Sequence, residues 1–217
     1  MMGPLLDKLE AFHGKQEPGW PTDPYLFIVW WHCGYPASDA ACAKGWAALK
    51  REIGVEPAKL LAADPRKMAA ALKAGGMVPE KRAMRLKEIA GKAPMLKGIS
   101  RAVLKTFPNI ADPGADRILL FGGIAPVAAV PSNCPHVLVR IRLGLERENY
   151  SVTYKEAQKL ISDGVAENFD ARKRAYLLLK AHGQRVCKTT NPKCGECPVT
   201  GECGYFGGKT RGRSGGD

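Results

Sequence analysis

The sequence predicts an all-α protein, and three observations carry that prediction. No alternation of apolar and polar residues long enough for a half-buried strand occurs in the 217 residues. Helix starts recur as a Ser, Asp or Asn cap, several with proline directly behind it, and helix stops recur as glycine. The continuous apolar run YLFIVWW, residues 25–31, suits a buried helix.

Taken in order, Ser38 caps a helix running to Gly54, with Trp46, Leu49 and Ile53 on one face. Asp64-Pro65 opens a second, which Gly75-Gly76 ends, and Pro79 opens PEKRAMRLKEIAGKA. A helix from Ser100 to Phe107 leads through a short turn to Asp112-Pro113, read as a cap and a first-turn proline. That helix stops at Gly122-Gly123. Another starts near Asn133 and ends at Gly144, and two more lie around Thr153–Ser162 and Ala166–His182.

Charge narrows the function. Lys and Arg number 33 against 21 Asp and Glu, a formal net charge of +12. Such a field favours a polyanion, and nucleic acid is the commonest one; a merely solvated basic surface is the alternative. The composition excludes a collagen, a coiled coil and a disordered chain. The N-terminus lacks the apolar core of a signal peptide. Residues 118–139 carry no Asp, Glu, Lys or Arg, but Gly122, Gly123, Pro126, Pro131 and Pro135 break them as a membrane span. A cytosolic or nuclear protein is expected.

Of seven cysteines, Cys33, Cys42 and Cys134 are scattered as small buried hydrophobes would be. The other four crowd into CKTTNPKCGECPVTGEC with C-x6-C-x2-C-x5-C spacing. Four-cysteine zinc sites normally pair two short knuckles, and here only Cys194 and Cys197 form one. A cubane iron–sulfur cluster accommodates one short and two longer loops. The spacing alone leaves both open.

The run AHGQRVCKTTNPKCGECPVTGECGY resembles the C-terminal [4Fe-4S] motif of the endonuclease III-like helix-hairpin-helix DNA glycosylases, including His182-Gly183. The resemblance implies that Cys187, Cys194, Cys197 and Cys203 ligate a [4Fe-4S] cluster. It also implies that Lys188 and Lys193 contact DNA phosphates. From Ala171 to Asp217 there are ten Lys and Arg against three Asp and Glu, which fits such a surface. The turn FPNIADPG is similar to that family's hairpin, in which backbone amides and a helix N-terminus meet a phosphate. Asn109 and Ala111 stand where the family has glycines; Asn tolerates left-handed backbone, Ala poorly. The amides of Ile110, Ala111, Gly114 and Ala115 are the expected phosphate donors. Eight Lys and Arg against two glutamates in Met77–Lys105 extend that surface.

Members of the family flip a base from the duplex and cut its glycosidic bond, using an aspartate and, in bifunctional members, a Schiff-base lysine. Here the lysine position falls at Pro113 and the aspartate position at Pro131, although Ser132 and Asn133 match that aspartate's neighbours. Asp112, Ser132 and Asn133 are therefore the candidate catalytic groups, with Asp116 a further carboxylate and Asp112 otherwise an N-cap. His32, Tyr35 and His136 are the candidate pocket residues. Trp30 and Trp31 suit core packing better than base stacking.

The resemblance implies a two-domain fold. A six-helix domain over 22–132 holds the hairpin at about 100–121. A helical cluster domain takes 1–21 plus 133–208, and 209–217 form a flexible basic tail. It implies a monomeric DNA N-glycosylase of base-excision repair, without Schiff-base lyase activity, that acts on double-stranded DNA carrying a damaged or mismatched base. Its place would be the cytoplasm, with the nucleoid, in a bacterial or archaeal cell. The alternative is a catalytically silent iron–sulfur DNA-binding protein.

Overall fold

The computed structural model describes residues 2–35, 38–145 and 149–207; the basic tail expected at 209–217 lies outside them. Among the described residues there are α-helices and short 3-10 turns and no strands. Among those residues no helix is long and apolar enough to cross a membrane. The chain divides into two compact units: Met1–Glu17 with Ala125–Asp217, and Pro18–Ile124.

The continuous unit holds α2 (Pro24–His32), α3 (Asp39–Glu52), α4 (Pro57–Ala62), α5 (Pro65–Leu72), α6 (Pro79–Lys92), α7 (Arg101–Leu104) and α8 (Asp112–Phe121), after α1 (Gly3–His13) of the other unit. These are seven helical segments where six were expected, the short proline-opened α4 being unread in the sequence. Three of the predicted caps form. Ser38 Oγ accepts from the Ala41 amide, Asp64 from Arg66 and Ser100 from Val103. An unforeseen cap, Asp23, accepts from Leu26 and starts the apolar helix α2.

The unit's core assembles around a buried cation. Arg117 of α8 lies 3.8 Å from the Trp20 ring centre and 4.9 to 5.7 Å from those of Phe27, Trp30 and Trp31, with Asp39 at 3.7 Å. Trp20 also packs edge-on against Phe121. These contacts pack Trp20 into this unit, which begins at Pro18. The second buried cation, Arg82 of α6, donates to the carbonyls of Met77, Leu72, Gly76 and Cys33, which ties the ends of α2 and α5 to the turn before α6. Four backbone acceptors satisfy a charge that burial would otherwise penalise by several kcal/mol.

The other unit packs α1 with α9 (His136–Leu143), α10 (Tyr150–Gly164) and α11 (Phe169–Arg185) around Leu5, Leu9, Val137, Leu138, Ala157, Ile161 and Leu178. Pro135 delays α9 to His136; residues 132–133 form a turn instead, closed by the Cys134 amide on the Pro131 carbonyl. Asn149 and Asn168 cap α10 and α11, each of which starts three residues from its predicted start. Gly183, inside α11, is required by close approach: a Cβ there would sit 2.3 Å from that of Cys134.

Candidate functional site

The hairpin is α7, a turn over 105–111, and α8. Asn109 at φ +56° takes the left-handed geometry expected of a glycine position. Ala111 does not need it: at φ −96°, ψ −173° it is extended backbone and itself the N-cap of α8, which removes the strain anticipated there. Asp112 is consequently the first helical residue and not the cap. Of the four candidate phosphate donors, Ile110 gives its amide to Phe107 and Ala115 to Ala111. The Ala111 and Gly114 amides, ahead of the first helical hydrogen bond, are the ones that stand at the helix N-terminus.

Cations and carboxylates of the hairpin pair across it. Lys105 Nζ lies 2.9 Å from Asp112 Oδ1 and Arg101 Nη1 3.9 Å from it, while Arg101 Nη2 pairs with the fully buried Asp116. Asp112 is half-exposed and Arg101 40% exposed, so the Asp112 contacts are the cheaply exchanged kind.

Of the candidate pocket residues in this unit, His32 is buried, with Nδ1 donating to the Ile28 carbonyl at 2.8 Å. Burial pushes its imidazole down to about 4, opposed by the Ile28 and Pro108 carbonyls. Pro108 belongs to the hairpin turn, so His32 lies beside that turn. Tyr35 is half-buried and stacks on Trp31 with ring centres 4.6 Å apart.

In the other unit, the half-buried Ser132 and exposed Asn133 sit in the turn before α9 with Ser132 Oγ 3.5 Å from Asn133 Oδ1. His136 is engaged with the cysteine loop: its Nε2 donates to the Cys187 carbonyl at 2.8 Å. Arg140, one turn later on the same face, was missed in the sequence. It is buried, and its guanidinium donates to the carbonyls of Lys188 (2.8 Å) and Thr189 (2.9 Å) and approaches Cys187 Sγ at 3.7 Å. The available signal was a charge inside the apolar run HVLVRIRL.

The four cysteines line one pocket, partly open to solvent, together with Arg140, His182 and Tyr205. All four are free thiols. His182, fully buried, places Nε2 3.5 Å from Cys197 Sγ, and Cys203 Sγ lies 3.8 Å from the Arg140 carbonyl. Burial pushes the Cys187 and Cys197 thiols up; Arg140 opposes this at Cys187. Among the described residues no group of three or more His, Cys, Asp or Glu side chains is arranged to hold a metal ion. Four thiols lining one pocket are nonetheless the soft donor set that an iron–sulfur core takes, one per metal. Lys188 and Lys193 are exposed on this loop, Lys193 in a 3.1 Å ion pair with Glu196.

No family model and no curated protein matches the chain. Solved structures do. An endonuclease III trapped in a covalent intermediate with DNA superposes with a TM-score of 0.77 over 97% of both chains at 15% identity. A thermostable thymine-DNA glycosylase gives 0.75 over 95% of this chain and 96% of its own, at 18% identity. The H. pylori 3-methyladenine DNA glycosylase bound to 1,N6-ethenoadenine gives 0.56, at 19% identity over 83% and 92%. The chain therefore has the all-α helix-hairpin-helix fold of endonuclease III.

Proposed function

We propose that this protein is a base-excision DNA glycosylase, binding double-stranded DNA as a monomer, flipping a damaged or mismatched base and cutting its glycosidic bond without a Schiff-base lysine. The observation that carries this reading is the superposition on endonuclease III across 97% of both chains. A hairpin with two amides at a helix N-terminus and a net charge of +12 support it. We assign the hairpin and the cysteine loop to the two domains that the resemblance implies, with the chain in the cytoplasm alongside the nucleoid.

Cys187, Cys194, Cys197 and Cys203 would hold a [4Fe-4S] cluster, which supplies structural bracing of the loop. The chain's own groups do the rest. Ala111 and Gly114 donate to a phosphate, and Lys188 and Lys193 of the cysteine loop contact phosphates of their own. His32 lies beside the hairpin turn, and Tyr35 offers a ring face to a base. Asp112 is the carboxylate available to orient water or to face the developing oxocarbenium charge, and Ser132 and Asn133 are the other candidate catalytic groups.

A second reading, a silent DNA-binding protein, is favoured by one observation. The positions resembling the family's lysine and aspartate are Pro113 and Pro131, neither of which moves a proton, and both hairpin carboxylates are ion-paired. Duplexes carrying uracil, hypoxanthine, oxidised or alkylated bases, followed by separate alkali treatment, decide between the two. Base release that needs alkali for strand cleavage is expected. Tight binding with no release from any lesion would overturn the enzyme reading. Asp112→Asn is expected to lower release at least 100-fold; unchanged release would remove Asp112 from the chemistry.

A further inference from the structure

The cysteine loop is connected to the far end of α1 by a pair of imidazoles that the proposed activity does not use. His13, the last residue of α1 and half-buried, places Nε2 3.0 Å from His182 Nδ1. His182 in turn places Nε2 3.5 Å from Cys197 Sγ. The two rings meet edge to face, with centres 5.3 Å apart. Between them they link two stretches 169 residues apart, both in one unit.

We infer that His13 and His182 form a hydrogen-bonded relay that polarises Cys197 and raises the reduction potential of the cluster it ligates. The inference rests on the cluster assignment above. A cluster-bound cysteine is a thiolate and carries no proton, so His182 Nε2 must be the donor of that contact. A neutral His182 then has a bare Nδ1, and His13 Nε2–H fills it. The direction of donation is fixed along the whole chain: His13 to His182 to sulfur. Each bond strengthens the next, because a ring that accepts at one nitrogen is a better donor at the other.

Donation to a ligand sulfur withdraws electron density and favours the more negative, reduced state. Without His13, the buried Nδ1 loses its partner. The Nε2–H then donates to the thiolate with less polarisation behind it, which weakens the stabilisation of the reduced state. His13 is thus a positioning residue acting through His182, at the one point where the relay meets a partly exposed side chain.

The test compares the iron-loaded full chain with His13→Phe and His13→Gln. Phe removes the donor; Gln offers an amide N–H at a similar reach. Iron and sulfide content and visible absorbance are measured first, then the cluster's one-electron potential by spectroelectrochemistry. A shift of at least threefold in the reduced-to-oxidised ratio at fixed potential, about 30 mV, is expected for Phe, toward lower potential, with Gln restoring most of it. Equal potentials in all three proteins overturn the relay while leaving the cluster in place. Equal shifts in Phe and Gln also overturn it, since packing alone then explains the change. Purification with zinc and no labile sulfide overturns the cluster assignment itself.

Discussion

At the scale of single residues, three buried cations and a buried imidazole do much of the specifying. Arg140 bridges α9 to the backbone of the cysteine loop through two charged hydrogen bonds. Arg140→Met leaves those carbonyls without their donor and is expected to cost about 3 kcal/mol, read as a drop in urea midpoint and a faster loss of visible absorbance. His32 sets a pH dependence. Its folded imidazole is held down at about 4 while an unfolded chain titrates near 6.5. The neutral ring therefore supports the fold fully above pH 6.5, and that support drains as pH falls toward 4, by about 3 kcal/mol over the window. Urea midpoints at pH 7 and pH 5 should show the loss, and His32→Leu should flatten its share of the slope. The four clustered cysteines were legible because their spacing is local. His13 and Arg140 were not, because nothing within a few residues of either announces a partner 169 or 48 positions away.

Among the elements, the hairpin turn shows where local chemistry decides geometry. Asn109 holds a left-handed backbone that alanine resists by about 1 to 2 kcal/mol and glycine does not. Asn109→Ala should therefore lower both stability and duplex affinity, whereas Asn109→Gly should hold affinity within about twofold; fluorescence anisotropy with an undamaged duplex reads both. Helix starts were legible at Ser38, Asp64 and Ser100, whose side chains cap their own first turns, but the same chemistry at Asp23, Asn149 and Asn168 went unread. They slipped where backbone sterics overrode the pattern. Pro135 pushed α9 back to His136, and an extended Ala111 took the cap that Asp112 was expected to supply. α4 escaped because six residues give too few turns for a period to register.

For the whole molecule, the contrast is between helices that bury their own apolar faces and a loop that does not. Residues 187–207 hold only two three-residue 3-10 turns and one short helical end, so their order depends on the side chains they converge on. Stripping the proposed cluster with an oxidant and a chelator is expected to abolish hydrogen-exchange protection over 187–207, and unchanged protection there would show that the loop needs no metal. The aromatic cage of Arg117 has a spectroscopic corollary. All four tryptophans of the chain, Trp20, Trp30, Trp31 and Trp46, fall within Pro18–Ile124. Indole emission is thus a beacon for one unit alone, and the iron-to-sulfur colour would be a beacon for the other. A single denaturation run followed at both wavelengths would resolve two melting events without a label or a mutation.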